Sequence, residues 1–368
     1  MKILYLTHDA FGQGGVARML SVKTSLLTQK YGHEIDVISS GAFSEPFYSF
    51  DSSISIKYLH APTSLRLSSL LYFRKLKRAI KNIKPDCIVI CDNGLKGYLT
   101  CFIRLNIPLI FESHAIDFIP FLNTKNKGLV LKRFFLKKLH ALALNRVDKI
   151  VTLSKSQSFF LHLDNALVIP NPSWSANKKK AELTSKKVIA MGRLVESKGY
   201  VRMIEIWKEI HKIYPDWHLD IYGDGEQKDL LHNQINAYNL DGSISVKKSA
   251  VEIEDFLMDY AFMIHTSFYE SFPLVVMESM SFGLPVVAFD CPVGLKEIIR
   301  TEEDGFLIEN DDLDAFAEKT KSLIANISLR QKMGENAFKN IQRYDLDDII
   351  EVWNTLFVSL QRNYRAVK

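Results

Sequence analysis

Short apolar runs alternate with segments of helical period along this chain, and the alternation occurs twice with a break between. KILYLT at 2–7 reads as a strand, FGQGG at 11–15 as a glycine-rich turn, 16–32 as a helix ending at Gly32, and HEIDVIS at 33–39 as a second strand. DCIVICD at 86–92, PLIFESH at 108–114 and KIVTLS at 149–154 keep the rhythm, with helical stretches between them. Periodicity fails across 168–187, where prolines, asparagines and a lysine run read as a linker. It resumes with the strands KKVIAMGRL, WHLDIYGDG, FMIHTS and LPVVAFD, each leading into a turn or helix. Alternation of this kind builds a parallel sheet covered on both faces.

The pattern predicts an α/β chain of two doubly wound, Rossmann-like parallel-sheet domains, 1–170 and 171–344, facing each other across a cleft at the carboxyl ends of their strands. The closing stretch 345–368 reads as an amphipathic helix with no strand after it, expected to pack as a brace back toward the first domain. A length of 368 residues fits two domains of about 150 residues better than one small module. Apolar residues at 47% and charged residues at 24% exclude a disordered or fibrous chain. Cys87, Cys91, Cys101 and Cys291 stand at no metal-site spacing with histidine, so free thiols in a reducing compartment are expected rather than a disulfide scaffold or zinc finger. No run approaches the roughly 18 to 20 apolar residues of a spanning helix, and the first residues lack a secretory apolar region, which predicts a cytoplasmic protein.

The net charge of +5 conceals an asymmetry. Residues 1–168 hold 23 basic against 11 acidic residues, and the remaining 200 hold 24 against 31. One half thus faces something anionic. The stretches 65–84 and 118–146 mix bulky apolar residues with clustered Lys and Arg, as on a helix lying on anionic lipid; ordinary packed helices with solvated charged faces would look similar. Neither stretch carries the signature of a nucleic-acid-binding module.

Three segments bear on chemistry. The turn Gly12-Gln13-Gly14-Gly15 opens a helix, so its backbone N–H groups could hold a phosphate, or it could serve chain reversal alone. A nicotinamide site would need an acid at the end of the second strand, which instead ends in Ile38-Ser39-Ser40. In the loop Met191 to Gly199, Arg193 and Lys198 stand just before a helix, where they could converge on a diphosphate or form surface salt bridges. In Tyr269-Glu270-Ser271-Phe272-Pro273-Leu274-Val275-Val276-Met277-Glu278, the first carboxylate sits in a loop and the second inside an apolar helix. A carboxylate buried there costs several kcal/mol unless donors satisfy it, and sugar hydroxyls or a Lys or Arg would do so. The spacing suits a grip on two ends of a long ligand better than the acid and nucleophile of a hydrolase. The Asp-x-Asp letters at Asp312/Asp314 and Asp345/Asp347 fall at helix starts and read as caps, not as metal ligands.

Taken together these residues resemble the retaining nucleotide-sugar glycosyltransferases of family 4, with the GT-B fold, over nearly the whole chain. The resemblance rests on GQGGVAR, Ser113-His114-Ala115, Ile169-Pro170-Asn171-Pro172, Gly192-Arg193-Leu194 with Lys198-Gly199, Tyr222-Gly223-Asp224-Gly225-Glu226, the pair Glu270 and Glu278, and Gly283-Leu284-Pro285-Val286-Val287. It implies that Arg193 and Lys198 neutralise the donor diphosphate and that Glu278 bonds the ribose. Glu270, with the backbone of Ser271, Phe272, Pro273, Leu274 and Val275, would hold the transferred sugar. Gly14 and Gly15 would approach the diphosphate or acceptor, and His114 would lie near the reacting sugar. The stretch Asp290-Cys291-Pro292-Val293-Gly294 departs from the family's paired-glycine turn and resembles enzymes of bacterial surface-polysaccharide assembly that use UDP-sugars. The expected activity is transfer of a hexose or N-acetylhexosamine from a nucleotide-sugar to a lipid-linked saccharide acceptor at an anionic membrane surface, with no metal, no resident cofactor and no nucleic acid. A UDP-N-acetylhexosamine epimerase and a noncatalytic nucleotide-sugar or membrane-binding protein share the same motifs.

Overall fold

A computed structural model of the chain describes residues 1–41, 45–60, 67–103, 105–114, 127–173, 179–249 and 254–366. These fall into two compact units, one of Met1–Pro170 with Asp347–Lys368 and one of Asn171–Leu346.

In the first unit, strands β1 (Lys2–Thr7), β2 (Glu34–Ser39), β3 (Ser55–Tyr58), β4 (Cys87–Ile90), β5 (Leu109–Ser113), β6 (Lys149–Thr152) and β7 (Leu167–Val168) form one sheet. Its order is β3-β2-β1-β4-β5-β6-β7, and every pairing is parallel. β4 reads Cys-Ile-Val-Ile because both of its faces are covered, and all four residues are buried. The helices Gly15–Tyr31, Leu67–Ile83 and Lys127–Leu144 wind between the strands. The closing helix Leu346–Ala366 lays Trp353 and Phe357 into this unit. There Asn354 meets the His33 ring nitrogen at 2.9 Å and Phe357 stands edge-on to the same ring.

In the second unit, β8 (Lys187–Met191), β9 (His218–Tyr222), β10 (Ile244–Lys247), β11 (Phe262–His265), β12 (Val286–Asp290) and β13 (Gly305–Glu309) form a parallel sheet in the order β10-β9-β8-β11-β12-β13. The helix Tyr200–His211 buries Met203, Ile204, Trp207 and Ile210 on one stripe against this sheet, where Phe262, Phe289 and Phe316 complete the core. Both units are thus doubly wound α/β domains, the architecture expected of the chain.

The two strand orders share one property that places a site. Each reverses its direction of growth once, between β1 and β4 in the first sheet and between β8 and β11 in the second. Loops leaving the carboxyl ends of such neighbouring strands part to opposite faces, and the crevice between them receives ligands.

Candidate active site

At the second unit's reversal point, the loop after β8 contains a short 3-10 turn, Glu196–Lys198, and then the helix Tyr200–His211. Gly199 joins them with φ of +67°, and a Cβ there would lie 2.1 Å from the Thr266 carbonyl oxygen, so only glycine allows this approach. The Thr266 hydroxyl donates to the Lys198 and Gly199 carbonyls, and Phe268 N donates to the Ser197 carbonyl. The loop after β8 is therefore stitched to the loop after β11.

The loop after β11 carries Glu270, which is 8% exposed. Its backbone pairs with the stretch after β12: Glu270 N donates to the Pro292 carbonyl, and Val293 N and Gly294 N donate to the Glu270 carbonyl. Gly294 comes so near that a Cβ would meet the Ser271 carbonyl at 1.8 Å. Three loops from adjacent strands thus converge on one residue, Glu270. Lys198 Nζ donates to Glu270 Oε1 at 2.5 Å, the Ser267 hydroxyl donates at 2.7 Å, and His265 Nε2 lies 2.9 Å away. Burial pushes the Glu270 carboxyl up, but the Lys198 charge and the His265 contact outweigh it and hold the group below the usual carboxylate range.

The other residues singled out in the sequence are placed as follows. Arg193 is exposed and makes no side-chain hydrogen bond or ion pair among the described residues, whereas Lys198 of the same loop is bonded to Glu270. Phe272 and Pro273 are buried, with Phe272 edge-on to Tyr344. Ser271, Leu274 and Val275 are half-buried around the start of the helix Leu274–Ser281, whose first N–H groups lack partners within the helix. Glu278 is 6% exposed on that helix. In the first unit Gly14 caps the helix Gly15–Tyr31, and a Cβ on Gly14 would meet nothing within 4 Å. His114 follows β5. Its backbone N donates to Asn93 Oδ1 at 2.9 Å, its Nε2 lies 3.2 Å from Glu112 Oε1, and its side chain is only 5% exposed. Ala115 lies outside the described residues. Asp312 caps a helix by accepting from Ala315 N, as its position suggested.

Sequence reasoning missed four participants: His265, Ser267, Arg202 and Glu112. Arg202, 6% exposed, donates to the carbonyls of Thr266 and Ser267 and lies 3.9 and 4.1 Å from the ring centroids of Phe268 and Phe289. It holds the loop that carries Glu270. The signal available was a charged residue within an apolar helix stripe. Glu112 is 2% exposed and takes both carboxylate oxygens to Lys23 Nζ, at 2.6 and 2.5 Å. Cys91, Glu112 and His114 come within 4.8 Å of one another, a spacing open to a metal ion. The donor set argues otherwise, since Lys23 already neutralises Glu112 and burial, then the Glu112 charge, drives the Cys91 thiol up and keeps it protonated. All four cysteines are free and buried. No helix among the described residues is long and apolar enough to cross a membrane.

Two parallel doubly wound domains, with a cation and a buried carboxylate gathered at the second sheet's reversal point, define the GT-B class. Comparison with known proteins gives the family. The model for glycosyl transferases group 1 matches residues 173–340 and that for Glycosyltransferase Family 4 matches 13–172. The chain belongs to the family 4-like glycosyltransferases. It is 29% identical to the amylovoran biosynthesis glycosyltransferase AmsD of Erwinia amylovora, over 96% of this chain and 99% of that protein. It is 21% identical to a Campylobacter jejuni enzyme named as an α-1,4-N-acetyl-D-galactosaminyltransferase acting on an undecaprenol-diphosphate-linked GalNAc saccharide, over 98% and 99%. Among solved structures, Anabaena HepE in complex with UDP and glucose superposes with a TM-score of 0.78 at 19% identity, covering 98% of this chain and all of that one.

Proposed function

We propose that this glycosyltransferase moves a hexose or N-acetylhexosamine from a UDP-sugar to a lipid-linked saccharide in bacterial surface-polysaccharide assembly, with retention of anomeric configuration. The observation that carries the donor reading is the Lys198–Glu270 pair at the second sheet's reversal point, beside the open first turn of the helix Leu274–Ser281. A nucleotide diphosphate suits Lys198, Arg193 and that helix start. Glu270 accepts from hydroxyls of the transferred sugar and Glu278 from the ribose. In the reaction the bond between the anomeric carbon and the phosphate oxygen breaks and charge builds on the departing diphosphate, where the two cations stabilise it. The acceptor oxygen bonds to the anomeric carbon from the side of the leaving group, and its proton passes to the diphosphate. Nothing in this sequence of steps calls for a resident metal or cofactor.

The acceptor reading draws on the relatives and on the first unit's surface. The helix Lys127–Leu144 exposes Leu131, Phe134 and Phe135 at 69%, 66% and 54%, with Lys137 and Lys138 exposed on the same helix. Apolar side chains set among cations suit an anionic lipid surface, on the inner face of the cytoplasmic membrane. Residues 65–66 and 118–126 of the two basic stretches lie outside the described residues.

Purified protein incubated with a panel of UDP-sugars, with and without bacterial lipid extract, tests the reading. Lipid-dependent UDP release with a glycosylated lipid in the mass spectrum is the expected result. An altered sugar nucleotide formed without acceptor would establish an epimerase instead, and binding without turnover a noncatalytic protein. Flotation with anionic liposomes should weaken as salt rises, and a protein that never floats removes the membrane from the proposal.

A further inference from the structure

The three donors on Glu270 all fall on one oxygen. Lys198, Ser267 and His265 meet Oε1, and Oε2 accepts no hydrogen bond among the described residues. The transfer step above uses Lys198 and Glu270 and has no task for His265. That residue ends β11, where its backbone is in register with Ala288 of β12 and its side chain is 4% exposed. A ring so enclosed does not reach a substrate itself, and among the described residues its one side-chain partner is Glu270.

The donors also differ in what a diphosphate would do to them. Lys198 is 20% exposed at the end of a flexible stem, so an arriving diphosphate competes with Glu270 for its ammonium. Ser267 and His265 are buried hydrogen-bond partners fixed by the sheet and by Arg202, with no such rival. Because Glu270 is held ionised, the Nε2 of His265 must carry the proton of their hydrogen bond.

We propose that His265 is a positioning residue for Glu270: with Ser267 it commits Oε1 and so leaves Oε2 as the acceptor for a hydroxyl of the transferred sugar while the diphosphate draws on Lys198. The proposal rests on the reading of Glu270 as a sugar ligand. Its consequence is that the sugar end of the donor, and not the nucleotide end, depends on His265.

The test compares His265→Leu, which removes the donor, with His265→Gln, which keeps an N–H near the position of Nε2. Turnover with the UDP-sugar and acceptor found by screening is measured beside UDP affinity by calorimetry. His265→Leu is expected to lose about 10- to 100-fold in kcat, the scale of a hydrogen bond to a charged group, with UDP affinity nearly unchanged, and His265→Gln to recover most of the loss. Wild-type turnover in the leucine variant overturns the inference, as does a loss shared equally by Leu and Gln or a parallel loss of UDP affinity. If His265→Leu does not fold, His265→Asn takes its place, and an asparagine that serves as well as glutamine overturns it too. A wild-type protein that binds no UDP overturns the donor reading and this inference together, whereas the outcomes above leave that reading standing.

Discussion

Each unit contains a lysine and a histidine gathered on one glutamate carboxylate, yet the two clusters differ in their access to solvent. In the first, Lys23 and Glu112 are 1% and 2% exposed, His114 stands 3.2 Å from the same carboxylate, and Lys23 Nζ lies 4.1 Å from the Trp353 ring centroid. In the second, Glu270 is similarly buried and faces His265, but Lys198 is 20% exposed on a loop. Both carboxyls are pushed up by burial and held below the usual range by stronger contacts with lysine and histidine. Access to the cation separates them. An ammonium sealed beneath an indole can only hold the fold together, while one at a loop tip can be handed to a phosphate.

The sharpest way to break this comparison is to remove the sealed cation. Lys23→Met leaves Glu112 charged and buried, which costs about 3–5 kcal/mol, read as lost hydrogen-exchange protection in β5 and the helix Gly15–Tyr31. The double change Lys23→Met with Glu112→Leu should recover most of that, because an apolar pair of similar volume avoids the desolvation penalty. A single variant as stable as the wild type would mean that the pair is not structural.

Next in size is Lys198→Ala. Turnover should fall by about 10²–10³-fold, the effect of losing one group that stabilises developing charge. Stability should change far less than in Lys23→Met, because His265 and Ser267 stay on Oε1. Equal damage to fold and turnover would erase the distinction between the clusters.

Acid gives a smaller contrast. A glutamate whose carboxyl is depressed in the fold contributes stability that is complete above its unfolded pKa of about 4.3 and is lost as pH falls below it. Between pH 5 and 3 the first unit of the wild type should therefore lose about 1–2 kcal/mol more than that of the Lys23→Met, Glu112→Leu double variant. Parallel pH curves would remove Glu112 from the linkage.

The strands buried on both faces were legible in the sequence because each is a continuous apolar run, as in β1, β4, β8, β11 and β12. β3 was not, since it lies at an edge and none of its four residues is buried. β7 has two residues, too few for any periodicity, and β10 and β13 mix polar residues at the far edges of the second sheet. At the site, Lys198 and Glu270 were each singled out from their motifs, but the contact between them was not foreseen, and His265 hid in FMIHTS as one polar letter closing an apolar strand. Glu112 hid the same way in PLIFESH. The reasoning applied to Glu278, that a carboxylate in an apolar run must be satisfied, would have found Glu112; its partner Lys23 lies 89 residues away and only the parallel winding brings it near.

The Arg202–Asp311 ion pair is more open to solvent than either and gives the smallest expected effect. Arg202 is buried, but its partner Asp311 is 68% exposed at 2.5 Å. If access decides what a charge pair is worth, Asp311 should matter little, because solvent screens it and Arg202 keeps the Thr266 and Ser267 carbonyls and both aromatic rings. Asp311→Asn should therefore shift stability by less than about 1 kcal/mol and leave turnover within about twofold. Arg202→Met, which strands those carbonyls, should lower both. A large loss in Asp311→Asn would show that the exposed aspartate anchors the guanidinium, and that the loop bearing Glu270 is held in place from the surface.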